Sequence, residues 1–191
     1  MSEAATRDAI VACCRALWDR RLTFGTSGNV SARLDDARLL ITSSGASFRT
    51  LEAGDLARVD GAGAGEGAQP STELPLHVAA YAARPDVRFV VHTHPTFCVV
   101  WSKCAKTVFP RDTVGARETL GPVGYVGFFP PGSAELADAM AAQLREGFDT
   151  VLMERHGLTT VGGDLERPFN LADLAEEAAR IAYLSRLLEV T

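Results

Sequence analysis

His92 and His94 stand one residue apart in the apolar run VVHTHPTF (90–97), in a chain with four histidines among its 191 residues. In an extended segment side chains alternate between faces, so the two imidazoles share one face and Phe89, Val91 and Thr93 take the other. Two imidazoles on one face of a buried strand are explained either by hydrogen bonds within the core or by a metal ion. A third histidine, His156, follows a second apolar run, TVLME, and precedes a glycine. Zinc sites that do chemistry commonly use three protein ligands and leave one position open.

Glu73 lies in STELPLH (71–77), where a helix is expected to start. There a carboxylate is stabilised by the helix dipole, but beside a metal it can also move a proton. His77 follows four residues later and faces the same side of that helix, so a Glu73–His77 ligand pair is one alternative. Three other histidines can complete a site, and His77 is read in preference as a packing or hydrogen-bonding residue. Three stretches of small polar residues, GTSGN (25–29), SSG (43–45) and ST (71–72), offer hydroxyls and backbone N–H groups of the kind that bind phosphate. Turns use the same residues.

These side chains need elements to hold them. Apolar residues at Ile10, Val11, Cys14, Leu17 and Trp18 predict an opening helix over about 3–21. A turn-prone segment then leads into a strand through NVSARL, and Asp35-Asp36 predicts a hairpin into ARLLIT. DGAGAGEGAQP (60–70) reads as a mobile surface loop. The helix of STELPLHVAAYAARP is expected to be capped by Ser71 or Thr72, with Pro75 near its start. RFVVHTH is a strand, and the Gly/Pro-punctuated 107–133 reads as short strands with turns. A helix capped by Ser133 and stopped by Gly147 follows, then a strand running into His156-Gly157, a further strand and turn, and a closing helix capped by Asn170. Strands and helices mix without a regular βαβ rhythm, which predicts one α/β domain over 1–191, layered helix–sheet–helix.

Composition narrows the functions. With 47% hydrophobic and 23% charged residues the profile is globular, and a net charge of −5 leaves no basic footprint for nucleic acid. The four cysteines form neither a C-x-x-C pair nor a disulfide framework, so reduced thiols and a cytoplasmic location are expected. The first residues lack the apolar core of a signal peptide, and no apolar run reaches the length of a membrane span.

Taken together, GTSGNVSARL, ITSSG, STELPLH, HTH and RHG stand in the order and spacing of the class II aldolase/adducin family, which the chain resembles over nearly its whole length. TFGTSGNVSARLDD and ELPLH look most like its 3-oxo-tetronate 4-phosphate decarboxylase branch. The resemblance implies a zinc ion (manganese or cobalt as substitutes) in each subunit on His92, His94 and His156. Glu73 would be the catalytic acid/base and a resting fourth ligand, with Gly28, Asn29, Ser44, Gly45, Ser71 and Thr72 around a substrate phosphate. It implies a three-layer α/β/α sandwich with a mostly antiparallel sheet, and a homotetramer with sites at subunit interfaces. The implied activity is carbon–carbon cleavage of a short phosphorylated sugar or sugar acid through a metal-stabilised enediolate, as a decarboxylase or a ketose-phosphate aldolase. The family also includes epimerases and dehydratases, and the non-catalytic adducin head, an interaction domain from which the complete set of three histidines and Glu73 separates this chain. Some aldolases of the family place a tyrosine in the middle segment, where this chain has Arg111, Asp112 and Arg117. An arginine there is read either as a partner for the acidic substrate of a decarboxylase or as a surface residue.

Overall fold

Eight strands form one sheet in the order β4-β3-β2-β1-β5-β8-β7-β6. They are β1 (Asn29–Arg33), β2 (Arg38–Thr42), β3 (Leu56–Asp60), β4 (Gly65–Glu66), β5 (Phe89–Thr93), β6 (Val123–Val126), β7 (Thr150–Met153) and β8 (Gly157–Gly162). Every pairing is antiparallel except that of β6 with β7. The computed structural model describes residues 1–60, 65–104 and 108–189. Of the run expected as a loop (60–70), 61–64 lie outside them, as do Thr107 and Val190, while Asp60 ends β3 and Gly65–Glu66 pair with it as β4 instead of looping free.

Helices cover both faces, giving the three layers expected. On one face α1 (Glu3–Asp19), α3 (Thr96–Cys104) and α5 (Glu166–Glu189) bury Ile10, Leu17, Cys98, Trp101, Leu171 and Ala175 against Val30, Ala32, Phe89, Val91 and Leu158. On the other, α2 (Leu74–Ala83) and α4 (Ala134–Arg145) bury Leu76, Ala80, Leu136, Met140 and Leu144 against Val90, Val151 and Val161. Strand alternation carries these assignments into the site. Val90 packs under α2 and α4, so His92, two residues on, faces the same way. Val30 and Ala32 pack under α1, so Asn29 and Ser31 turn towards α2.

Several boundaries differ from those expected, each for a local reason. Neither Ser71 nor Thr72 caps α2; Glu73 holds the N-cap position and makes no side-chain cap bond. Ser71 Oγ accepts the Glu73 N–H instead, at 3.2 Å. Pro75 removes one donor from the first turn, and the Glu73 carboxylate turns to the sheet rather than to its own helix. Asn170 is not a cap either, because α5 already begins at Glu166. Asp164 accepts the Arg167 N–H at 2.9 Å, and Pro168 sits in the first turn, where its missing N–H goes unused. Between 108 and 133 there is one strand, β6, and a π-helical turn at Ala116–Leu120 rather than a series of strands. Helix α3 was not expected from the pattern. Its first turn is held from α5, where the Glu176 carboxylate accepts the N–H groups of Phe97 (3.0 Å) and Cys98 (2.9 Å). No helix among the described residues is long and apolar enough to cross a membrane.

Candidate metal centre and active-site cavity

At one end of the sheet the start of β1, the end of β5 and the start of β8 lie side by side. Asn29 pairs with His92 and His92 with Thr159, so three neighbouring strands present polar side chains in a row towards α2. Glu73 approaches from the start of α2 and His156 from the tight turn between β7 and β8. Arg155 takes a left-handed conformation in that turn (φ 58°), and the His156 N–H closes it onto Met153 O at 3.2 Å. His94 lies just past β5, its N–H held by Leu22 O at 3.0 Å.

Glu73, His92, His94 and His156 converge so that one ligand atom from each lies within 4.8 Å of the others. His92 Nε2 is 2.8 Å from His94 Nε2 and 3.2 Å from Glu73 Oε2, and His156 Nε2 is 3.0 Å from Glu73 Oε1. A tetrahedral ion with bonds of about 2.0–2.1 Å keeps its donor atoms about 3.3 Å apart, and the three short pairs lie a few tenths of an ångström inside that spacing, so the cluster could hold such an ion. Its chemistry fits as well. His92 Nδ1 donates to Leu158 O at 3.1 Å, with Thr159 Oγ1 at 3.2 Å, which leaves the Nε2 lone pair facing the cluster. Glu73 Oε1 is buried without a hydrogen bond even though His156 Nε2 is close, the spacing of two donors that share an ion.

Electrostatics act in the same direction. Burial lowers the His94 imidazole to about 3, with His92 and His156 adding to the effect, so it stays a neutral ligand at pH 7. Burial alone would raise the Glu73 carboxyl, but the His92 and His156 imidazoles outweigh it and hold it well below the usual carboxylate range. Close packing keeps the rings in place. A Cβ on Gly157 would collide with Thr93 O and come within 2.9 Å of the His94 ring, and one on Gly28 would come within 2.9 Å of His92 O.

A cavity of about 380 Å³ opens beside the cluster. Gly28, Asn29, Ser44, Gly45, Ser71 and Thr72 all line it, with Thr26, Ser27, Ser43, Glu73, His94, Pro131, Arg155 and His156. The Asn29 side chain is already engaged, its Nδ2 donating to Glu73 Oε2 at 2.9 Å and its Oδ1 lying 2.5 Å from His77 Nε2. His77 is fully buried outside the metal cluster. Arg111 and Arg117 are absent from the cavity wall and bond to each other's backbone carbonyls. The cation that does line the cavity is Arg155, which the sequence reading passed over; its place directly before a candidate ligand was the available signal.

This fold is that of the class II aldolases. The family model for the "Class II Aldolase and Adducin N-terminal domain" matches residues 8–183, and the chain belongs to that family. It is 32% identical over 179 residues to an L-fuculose phosphate aldolase of Methanococcus maripaludis, covering 92% of this chain and 95% of the relative. It is 28% identical to a 3-oxo-tetronate 4-phosphate decarboxylase of Haemophilus influenzae, covering 96% of this chain and 89% of that protein. The crystal structure of L-fuculose-1-phosphate aldolase from Thermus thermophilus superimposes with a TM-score of 0.85 at 29% identity, covering 98% of both chains.

Proposed function

We propose that this protein is a metal-dependent carbon–carbon lyase acting on a short phosphorylated ketose or oxo-acid, with His92, His94, His156 and Glu73 holding one divalent ion per subunit, zinc in preference to manganese or cobalt. The observation that carries the reading is the convergence of three imidazoles and a carboxylate at the wall of a cavity rich in hydroxyls and glycine. A bound divalent ion supplies Lewis acidity to a substrate carbonyl and its neighbouring hydroxyl.

The chain's own residues do the rest. Gly28, Asn29, Ser44, Gly45, Ser71 and Thr72 form the phosphate cradle, which orients the substrate. Because the Asn29 amide is engaged on both sides, its contribution is the remaining N–H of Nδ2. In retro-aldol cleavage Glu73 takes the substrate hydroxyl proton as the carbon–carbon bond breaks and returns it to the carbon left behind; in decarboxylation no proton is released, and Glu73 passes one from water to that carbon. Residues of a neighbouring subunit in a homotetramer complete the wall.

The relatives named as fuculose phosphate aldolases favour retro-aldol cleavage of a ketose 1-phosphate. Arg155 in the cavity favours a second reading, decarboxylation of a phosphorylated 3-oxo acid whose carboxylate it pairs with. Two measurements test the proposal. Metal analysis of protein purified without added metal is expected to find about one divalent ion per chain. Turnover of L-fuculose 1-phosphate, 5-methylthioribulose 1-phosphate and 3-oxo-tetronate 4-phosphate then separates the routes. A metal-free protein inert towards all three, even after zinc is added, would be a binding module instead.

A further inference from the structure

Behind Glu73 runs a chain of buried polar groups that the lyase reading does not use. Asn29 Nδ2 donates to Glu73 Oε2 (2.9 Å), and Asn29 Oδ1 lies 2.5 Å from His77 Nε2. His77 Nδ1 lies 2.6 Å from Ser31 Oγ, which lies 2.7 Å from the Tyr81 hydroxyl. Asn29, Ser31, His77 and Tyr81 are all at least nine-tenths buried.

We propose that His77 is a positioning residue for Glu73, acting through Asn29: the Tyr81–Ser31–His77–Asn29 relay holds the carboxylate by Oε2 and so fixes how Oε1 is presented beside His156. The proposal rests on the lyase reading for the role of Glu73, and on geometry alone for the relay.

The direction of every hydrogen bond follows from its ends. A carboxylate only accepts, so Asn29 must turn its NH₂ to Glu73 and its carbonyl to His77. That carbonyl also only accepts, so His77 carries its proton on Nε2. A neutral imidazole then has a bare Nδ1, which takes the Ser31 hydroxyl proton, and Ser31 Oγ in turn accepts from Tyr81. Burial keeps His77 neutral by lowering its pKa to about 3. With the carboxylate ionised, neither Asn29 nor His77 can reverse without leaving a buried group unpaired, so the asparagine cannot flip; the Tyr81 hydroxyl at the far end also lies 3.4 Å from Arg88 O. At the other oxygen, Oε1, no hydrogen bond is made.

Two variants separate positioning from mere packing. His77→Gln sets an amide N–H where Nε2–H stood, whereas His77→Asn mimics the Nδ1 side and leaves Asn29 Oδ1 bare. With whichever of L-fuculose 1-phosphate and 3-oxo-tetronate 4-phosphate the wild type turns over, kcat of the Asn variant is expected to fall about 10–100-fold, with KM and metal content near wild type. The Gln variant should stay within about fivefold. Equal losses, or none, would overturn the proposal. A second readout needs no substrate. In ¹⁵N-histidine NMR spectra His77 should be the neutral Nε2–H tautomer, and Glu73→Gln should shift that proton through Asn29. An Nδ1–H tautomer, or a resonance indifferent to Glu73→Gln, overturns the relay even if the enzyme is active. Inactivity on every substrate with the shift present sinks the lyase reading alone.

Discussion

At the scale of single residues, two contrasts decide what the site can do. Three imidazoles and one carboxylate meet where apolar side chains would otherwise fill the end of the sheet, and burial keeps His94 unprotonated. Such a donor set could hold a divalent cation. The two oxygens of Glu73 differ as well, Oε2 tied to Asn29 and Oε1 making no hydrogen bond. Glu73→Gln keeps the volume and a carbonyl oxygen but removes the ability to take up a proton. It is expected to leave the fold and the metal content in place and to lower kcat by about 10²–10⁴-fold. Circular dichroism, metal analysis and steady-state kinetics on one preparation check this together, and near-normal turnover would remove Glu73 from the proton transfer.

At the scale of elements, the site depends on how closely β5 and β8 approach. Gly157 follows His156 and opens β8, and a methyl group there would meet Thr93 O and the His94 ring. Gly157→Ala should therefore destabilise the protein by about 1–3 kcal/mol and weaken metal binding, because one of the rings must give way. Urea unfolding and competitive zinc titration measure the two effects, and a variant matching wild type in both would mean that the strands part at no cost. Much of this level was legible in the chain. Period-two alternation gave β5 and the shared face of His92 and His94, and Ser133 and Gly147 marked the ends of α4. The same alternation in NVSAR put Asn29 and Ser31 opposite Val30 and Ala32, but polar residues on a short strand read equally well as a solvated face. What the local pattern lacked was partners distant in sequence. Helix α3 is held by a carboxylate on α5, and α5 starts early on Asp164, so neither boundary has a strong signal at its own position. Asn29 meets Glu73 and His77 only after β1 has paired with β5 beneath α2.

For the molecule as a whole, burying neutral histidines ties stability to pH. His77 takes up a proton near pH 3 when folded and near its ordinary value of 6.5 when unfolded. Between those values the unfolded chain binds more protons, so stability is complete above about pH 6.5 and falls as the pH drops towards 3. The slope is about 1.4 kcal/mol per pH unit for each such histidine, or about 2 kcal/mol lost to His77 by pH 5. His94, lowered to about 3 chiefly by burial, adds a loss of the same sign in the metal-free protein. Glu73, held below the usual carboxylate range, adds another as the pH falls below its ordinary value. Urea unfolding of chelator-treated protein at pH 7 and pH 5 should therefore show a loss larger than one histidine explains. His77→Gln should reduce that loss by about 2 kcal/mol, since glutamine does not titrate. If the variant and the wild type lose stability in parallel between the two pH values, His77 is not the neutral buried base on which the hydrogen-bond directions behind Glu73 depend.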